Sequence, residues 1–480
     1  MRAGVAKVCI TPPVGAWQGG YGARNRASDG IHDDLHARAL VFEGDDGTRA
    51  AIVAVDVVIL THEVAEAARR RAEDLTGIPA GHIALCASHT HGGPATRAYG
   101  ETGARGNPEY LAVLPQYLAG AVAAATCEMR PVSVRLGRGQ AGFNVNRRVR
   151  TSEGTVMRPN PEGVVDREVL VVRLDAVEDE ERATKDESGA VGEDSSSVVR
   201  PSSAARGDGA PLAVLFRYTC HATAMGGNNY LITADYPGAA AAFVEQAYGG
   251  GTLALFLQGC TGNVRPNLTA MDGSFRSATW PELARLGREL SGAVVAAAEQ
   301  SVFAGRPTVG ERAAHPAPLA VAGTTTLLPY GPPPAESELR ALIDGGHWAD
   351  GRAASEGERR WAGRALEAIQ SGRVEPGAQA EVQVFRLGDV WLVILPGEVF
   401  VEIGWRVRDA VAQAAGVSPE SVVVAAYANG NVGYVPTAAA MPEGGYEVTV
   451  FRSSGRPAGY APEAEDVLVQ TAAGLVASLR

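Results

Sequence analysis

The sequence predicts an α/β fold of layered sheets flanked by helices, with a functional site at the carboxyl ends of strands. Three observations predict it. Apolar runs of strand length alternate with stretches of helical spacing along the chain. Donor-type side chains recur directly after the apolar runs, where open α/β sheets bind ligands. Of the 480 residues, 20% are charged and 46% hydrophobic, a globular profile with enough apolar residues for a sizeable core.

AGVAKVCI, from Ala3, reads as the first strand. A glycine-rich, polar loop begins at Gly19, and LHARALVF and AAIVAVDVVIL follow as buried strands. HEVAEAARRRAEDLTG has helical spacing and stops at Gly77, and HIALCA is the next strand. Asn107 and Pro108 open a long helix, and PVSVRLGRG resumes a strand. EVLVVRLD and PLAVLFRYTC read as hairpin partners. Between them, residues 177–211 are polar and charged without apolar periodicity; such a segment cannot offset its ordering entropy by burial, so it reads as a mobile insertion at the hairpin tip. PGAAAAFVEQAYGG reads as a helix, TLALFLQG as a strand and residues 280–300 as a helix. Residues 306–331 read as proline-rich and irregular, and residues 335–370 as a charged helical stretch. EVQVFRLG and VWLVILPG are strands, VFVEIGWRVRDAVAQAAG a helix, and SVVVAAYA a strand, with a closing helix from about Ala464. The expected organisation is a single domain over residues 1–480.

The formal charge of −11 argues against a general nucleic-acid binder, which needs a basic face. No apolar run reaches the roughly 18 residues of a membrane span. The start, MRAGVAKVCITPP, lacks the pattern of a secretory leader, so a cytoplasmic location is expected. The five cysteines are scattered without a C-x-x-C, which suits a reducing compartment.

Five strand ends carry polar clusters. HIALCAS leads into His89 and His91, and AVLFRYTC into His221. TLALFLQ leads into Gly259 and Cys260, VWLVILPG into Glu398, and SVVVAAYANGNVG into Tyr434. Two neutral imidazoles, a carboxylate and a phenol make a chemically sensible zinc shell with a position left for water or substrate. Each residue also has a plainer reading. His221 suits a buried, hydrogen-bonded histidine, Glu398 a helix N-terminal cap, and Tyr434 a packing residue in a glycine-rich turn. His32 and His36 read as structural residues near the pocket.

Nine collinear segments complete the picture: AGVAKVCITPPVG, IHDDLHARALVF, SHTHGGP, FNVNRR, CHATAMGGNNYLITADYPG, LQGCTGNVRPN, LPGEVFVEIG, YANGNVGYVPT and GGYEV. In them the chain resembles the catalytic domain of the neutral/alkaline non-lysosomal ceramidases and their bacterial relatives. By position, the resemblance implies Zn2+ held by His89, His221, Glu398 and Tyr434. It also implies that His91 and Arg147 line the pocket, with His91 and Tyr434 moving protons or stabilising an oxyanion. Where that family's motif has a serine, this chain has Gly259. The implied activity is therefore hydrolysis of an amide C–N bond in a small N-acylated molecule by metal-activated water. On this reading the backbone N–H of Gly259 is expected to face the substrate, and Cys260 is the alternative nucleophile. A zinc esterase, lactonase or cyclase on the same scaffold, or a metal-binding protein without catalysis, are the other readings. The ceramidases' C-terminal immunoglobulin-like domain is not expected here, and a soluble acylated compound is expected in place of ceramide. Oligomeric state is not legible.

Overall fold

A computed structural model describes residues 1–97, 106–152, 154–177, 209–249, 251–304, 318–348 and 351–479. Two sheets organise these residues. The larger has eight strands, in spatial order Leu253–Gln258, Ala213–Tyr218, Glu168–Ala176, Arg130–Gln140, Arg2–Cys9, His36–Glu43, Arg49–Val55 and Ile83–Ala87. Its outermost pairs are parallel and the inner ones antiparallel. The smaller has four, in the order Leu319–Pro329, Gly377–Leu387, Val390–Ile394 and Val422–Ala425.

Strand periodicity decides which layer each side chain joins. In Arg49–Val55, Ile52 and its alternate neighbours face a core shared with Leu392 and Val423 of the second sheet. Ala51, Val53 and Val55 point the other way, into a core with the helices His62–Thr76 and Pro108–Thr126. The helices Asp235–Ala247 and Trp280–Ala304 cover the other half of the large sheet, over Val171, Phe216 and Phe256. The helices Val401–Ala415 and Glu463–Leu475 cover the small sheet. The layers are thus helix, sheet, sheet and helix.

The expected hairpin forms, since Glu168–Ala176 and Ala213–Tyr218 pair antiparallel; residues 178–208 of the expected insertion lie outside the described residues. Two expectations need correction. Residues 319–329 are not irregular: Leu319–Pro329 pairs along its whole length with Gly377–Leu387, with prolines only at its boundaries. The stretch 335–370 is two helices, Glu336–Gly345 and Glu356–Gln370. Gly346 ends the first in the left-handed region, and the Ser355–Glu358 capping box starts the second. Among the described residues no helix is long and apolar enough to cross a membrane.

One junction positions the site. The strands at the two ends of the large sheet's order, Leu253–Gln258 and Ile83–Ala87, are stitched together by the segment after Val422–Ala425. The Ala426 N–H donates to the Gln258 carbonyl at 2.8 Å, and the Ala87 N–H to that of Tyr427 at 3.0 Å. The Asn429 N–H then donates to the Leu85 carbonyl at 3.0 Å, while the Leu85 N–H returns to Asn429 Oδ1 at 2.9 Å. Asn429 Nδ2 donates to Gln383 Oε1 at 2.7 Å, tying in the small sheet. Tyr427 and Asn429 achieve this with φ of 63° and 55°, a region that costs an ordinary L-residue about 1–2 kcal/mol.

Asn429→Ala removes the residue type that tolerates this backbone and leaves two buried partners unsatisfied. A loss of about 2–4 kcal/mol is expected. A denaturant midpoint that does not move would contradict the role given to this junction.

Candidate metal centre

His89 and His221 arrive by the same local logic. The buried strand Ile83–Ala87 ends at Ser88, and His89 turns with φ 63°. Its Nδ1 lies 2.6 Å from the carbonyl oxygen of Val58, which follows the adjacent strand Arg49–Val55. His221 follows Ala213–Tyr218, and its Nδ1 lies 2.8 Å from the carbonyl of Thr261, in the loop after the neighbouring strand, and 3.0 Å from that of Val264, which starts the next short strand. A carbonyl can only accept, so Nδ1 carries the proton in both rings and each Nε2 presents a lone pair. Backbone carbonyls thus fix tautomer and ring direction together.

Those lone pairs converge. Glu398 Oε2 is 3.1 Å from His221 Nε2 and 3.5 Å from His89 Nε2. The Tyr434 hydroxyl is 3.3 Å from His221 Nε2, and His91 Nε2 is 3.2 Å from His89 Nε2. Glu398 and Tyr434 sit opposite each other in a short parallel pair, Glu398–Val399 with Tyr434–Val435. The helix that follows has Phe400 as its N-cap and no side-chain capping bond, so Glu398 does not serve as its N-cap. Donors about 2.0–2.1 Å from a tetrahedral zinc ion stand about 3.3 Å from one another, which is the spacing found here. Unprotonated imidazole nitrogens this close to a carboxylate oxygen need a cation or proton between them. The residues therefore fit a metal ion.

The structure brings together all four expected ligands and also His91, whose ligand atom lies within 4.8 Å of those of His89 and His221. His91 Nδ1 is buried without a protein hydrogen-bond partner, and the Tyr21 ring packs edge-on against His91 at 4.8 Å. Burial pushes all three imidazoles below their ordinary pKa, His91 and His221 furthest, and burial pushes the Tyr434 phenol well up.

Arg147, 4% exposed, reaches the site from the strand Asn144–Thr151. Its Nε donates to Glu447 Oε1 and its Nη2 to the Gly262 carbonyl, both at 2.7 Å, and its guanidinium lies 5.3 Å from the Tyr434 ring centroid. Glu447 also accepts from Arg148 at 2.7 Å.

Two expectations about the loop at residues 259–260 do not hold. The Gly259 N–H donates to the Tyr218 carbonyl at 3.0 Å, so it is not left for a ligand. Its missing side chain admits Thr219 of the neighbouring strand end, which a Cβ there would overlap. Cys260 belongs to the hydrophobic core, with Sγ against Gly404, and burial lifts its thiol to about 12. A nucleophilic thiol needs the opposite shift.

Sequence reading missed Tyr427, whose ring lies 4.4 Å from His89 and whose hydroxyl is 2.6 Å from Thr261 Oγ1. It sits in an apolar run that looks like plain strand. It also missed Glu447, although the segment GGYEV contains it; a carboxylate following two arginines at long range gives no local signal. His32 stacks on Trp280 at 3.7 Å and His36 starts a strand, so neither joins the cluster.

A layered α/β fold with histidines, a carboxylate and a phenol gathered at strand ends is similar to that of the neutral ceramidases. The chain is 26% identical to a neutral ceramidase of Mycobacterium tuberculosis, over 89% of this chain and 70% of that one. It is 27% identical to neutral ceramidase B of Dictyostelium discoideum, over 53% of this chain and 34% of that protein. It superposes on the crystal structure of the neutral ceramidase from Pseudomonas aeruginosa with a TM-score of 0.71 at 20% identity, over 100% of this chain and 74% of that one. A ceramidase complexed with C2 gives 0.69 at 20% identity, with 100% and 75% covered. No family model matches. By sequence and by fold, the chain is thus similar to neutral ceramidases.

The neutral imidazoles set a pH dependence for the metal-free protein. Their folded pKa values lie below 6.5, whereas in the unfolded chain they protonate near 6.5. The unfolded state therefore binds more protons below that pH, and stability falls as pH drops through about 6.5. Thermal melts of metal-stripped protein should show a lower Tm at pH 5.5 than at 7.5. A His89→Gln, His91→Gln, His221→Gln triple variant should show a smaller difference.

Proposed function

We propose that this chain is a single catalytic unit, a zinc-dependent hydrolase that cleaves the amide bond of a small N-acylated molecule. The observation that carries this reading is the convergence of His89, His221, Glu398 and Tyr434 at tetrahedral-edge spacing, with both Nδ1 atoms committed to backbone carbonyls. The names of the relatives support amide chemistry, since their ceramidases act on an N-acylated lipid.

A zinc ion held by these residues would supply an activated water and a polarised carbonyl. The chain's own groups do the rest. His91 is neutral, carries an unengaged Nδ1 and adjoins the ligand set, so it takes the role of proton acceptor and donor. Arg147, fixed by Glu447 and Gly262, holds positive charge beside the Tyr434 phenol, where negative charge develops on the carbonyl oxygen. Burial of the site excludes water and strengthens these interactions. Gly259 and Cys260 shape the wall by backbone packing and are assigned no bond to the substrate.

Glu398→Ala is expected to lose both bound zinc and amidase activity, read by metal analysis and by turnover on a panel of N-acyl amides, esters and lactones. Full zinc retention in that variant would overturn the ligand set. Zinc binding without turnover on any member of the panel would overturn the hydrolase. Cys260→Ala is expected to keep more than about half of the activity, because a buried thiol held protonated contributes little as a nucleophile. Loss of activity with zinc still bound would reinstate the thiol.

A further inference from the structure

Arg265 lies in the short strand Val264–Pro266, directly after the residue whose carbonyl orients His221. The strand pairs with Asn144–Thr151, which places Arg265 opposite Val145, two residues from Arg147. Its guanidinium stands 4.2 Å over the Phe275 ring, which holds it in place. The groups that bear on it electrostatically include Tyr21, which packs on His91, and also Arg147 and Tyr434. Strand alternation puts Arg265 on the same face of this pair as Val145 and Arg147. It is partly exposed, whereas His221 and Tyr434 are buried.

Its neighbourhood is unusual for a cation. Arg147 and Arg148 share the carboxylate of Glu447. Among the described residues no carboxylate ion-pairs with Arg265, and its buried Nε has no protein hydrogen-bond partner. Burial and the charge of Arg147 both pull its pKa down from the usual guanidinium value, so the fold bears a cost for keeping the charge there. A guanidinium presents a planar fork of donors that matches a carboxylate.

We propose that Arg265 is the specificity determinant of the site: it receives the carboxylate of an anionic substrate, so that the amide cleaved belongs to the N-acyl amino acid class. The inference rests on the hydrolase reading for its chemistry and on Arg265 alone for its selectivity. A neutral lipid amide would leave the guanidinium unmatched. An N-acyl amino acid places a carboxylate a few bonds from the scissile amide, within reach of a residue adjoining the His221 loop.

The test compares an N-acylglycine with the glycinamide of the same acyl chain. The wild-type chain should show a kcat/KM about 10- to 100-fold higher for the acid, the range of a charge-assisted pair. Arg265→Gln should remove that preference and leave the glycinamide rate within about twofold, and Arg265→Lys should restore part of it. Equal wild-type rates, or a loss in Arg265→Gln that falls equally on both compounds, would overturn the proposal. If neither amide is cleaved, the hydrolase reading fails separately. Calorimetric binding of the N-acylglycine then decides the role of Arg265. Binding about tenfold or more weaker in a folded Arg265→Gln variant supports it, and unchanged binding overturns it.

Discussion

The site depends on a junction of backbone. The two end strands of the large sheet, Leu253–Gln258 and Ile83–Ala87, are joined by Ala426–Asn429, whose backbone bonds to both. His89, after one end strand, and His221, after the neighbour of the other, are thereby brought within 3–4 Å of Glu398, after a strand of the small sheet. The left-handed turns at Tyr427 and Asn429 are what this requires, because a regular strand continuing past Ala425 could not bond to both edges. His89 is itself left-handed, so three such residues surround one cluster. Strain of this kind persists only where the surroundings over-determine it. Here the extra determination is the Asn429 side chain and the contact between Tyr427 and Thr261.

From that junction follows the electrostatic design. The imidazoles are buried deeply enough to stay neutral, which metal ligation requires, and backbone carbonyls rather than carboxylates hold their Nδ1 protons. Negative charge in the centre is thus confined to Glu398. Of the cations Arg147 and Arg265, one is compensated by Glu447 and the other has no carboxylate partner among the described residues. A buried pair such as Arg147–Glu447 contributes little net stability, since desolvation offsets most of the attraction. Its value is geometric: it fixes a guanidinium beside Tyr434.

How far the sequence discloses this follows the range of each interaction. Strands and helices of strong periodicity were legible, and so were the donors at five strand ends, because both are local patterns. Leu319–Pro329 was not, because its alternation is broken by the run Thr324–Thr326 on a strand half open to solvent. The break within residues 335–370 was written in Gly345, Gly346 and Ser355, but charge content masked it. Tyr427 was hidden by its own apolar neighbours, since nothing in AAYANG marks a left-handed tyrosine. The strand-end pattern suggested grouping these donors, but the ligand set His89, His221, Glu398 and Tyr434 came from the family resemblance, because no spacing rule joins residues so far apart.

Gly259 shows why a local rule can point the wrong way. A glycine after a strand suggests room for a ligand to approach the backbone. In this fold the approaching group is Thr219, at the end of the neighbouring parallel strand, and the Gly259 N–H completes the ladder to Tyr218. A serine hydroxyl at that position would compete with Thr219 for the same space. Thr219 in turn accepts from Arg217 and donates to Asp166, so it cannot simply move aside. The space beside Gly259 is therefore taken by Thr219, and Cys260 is turned into the core. On the reading proposed above, proton transfer then falls to His91 and recognition of the substrate to Arg265.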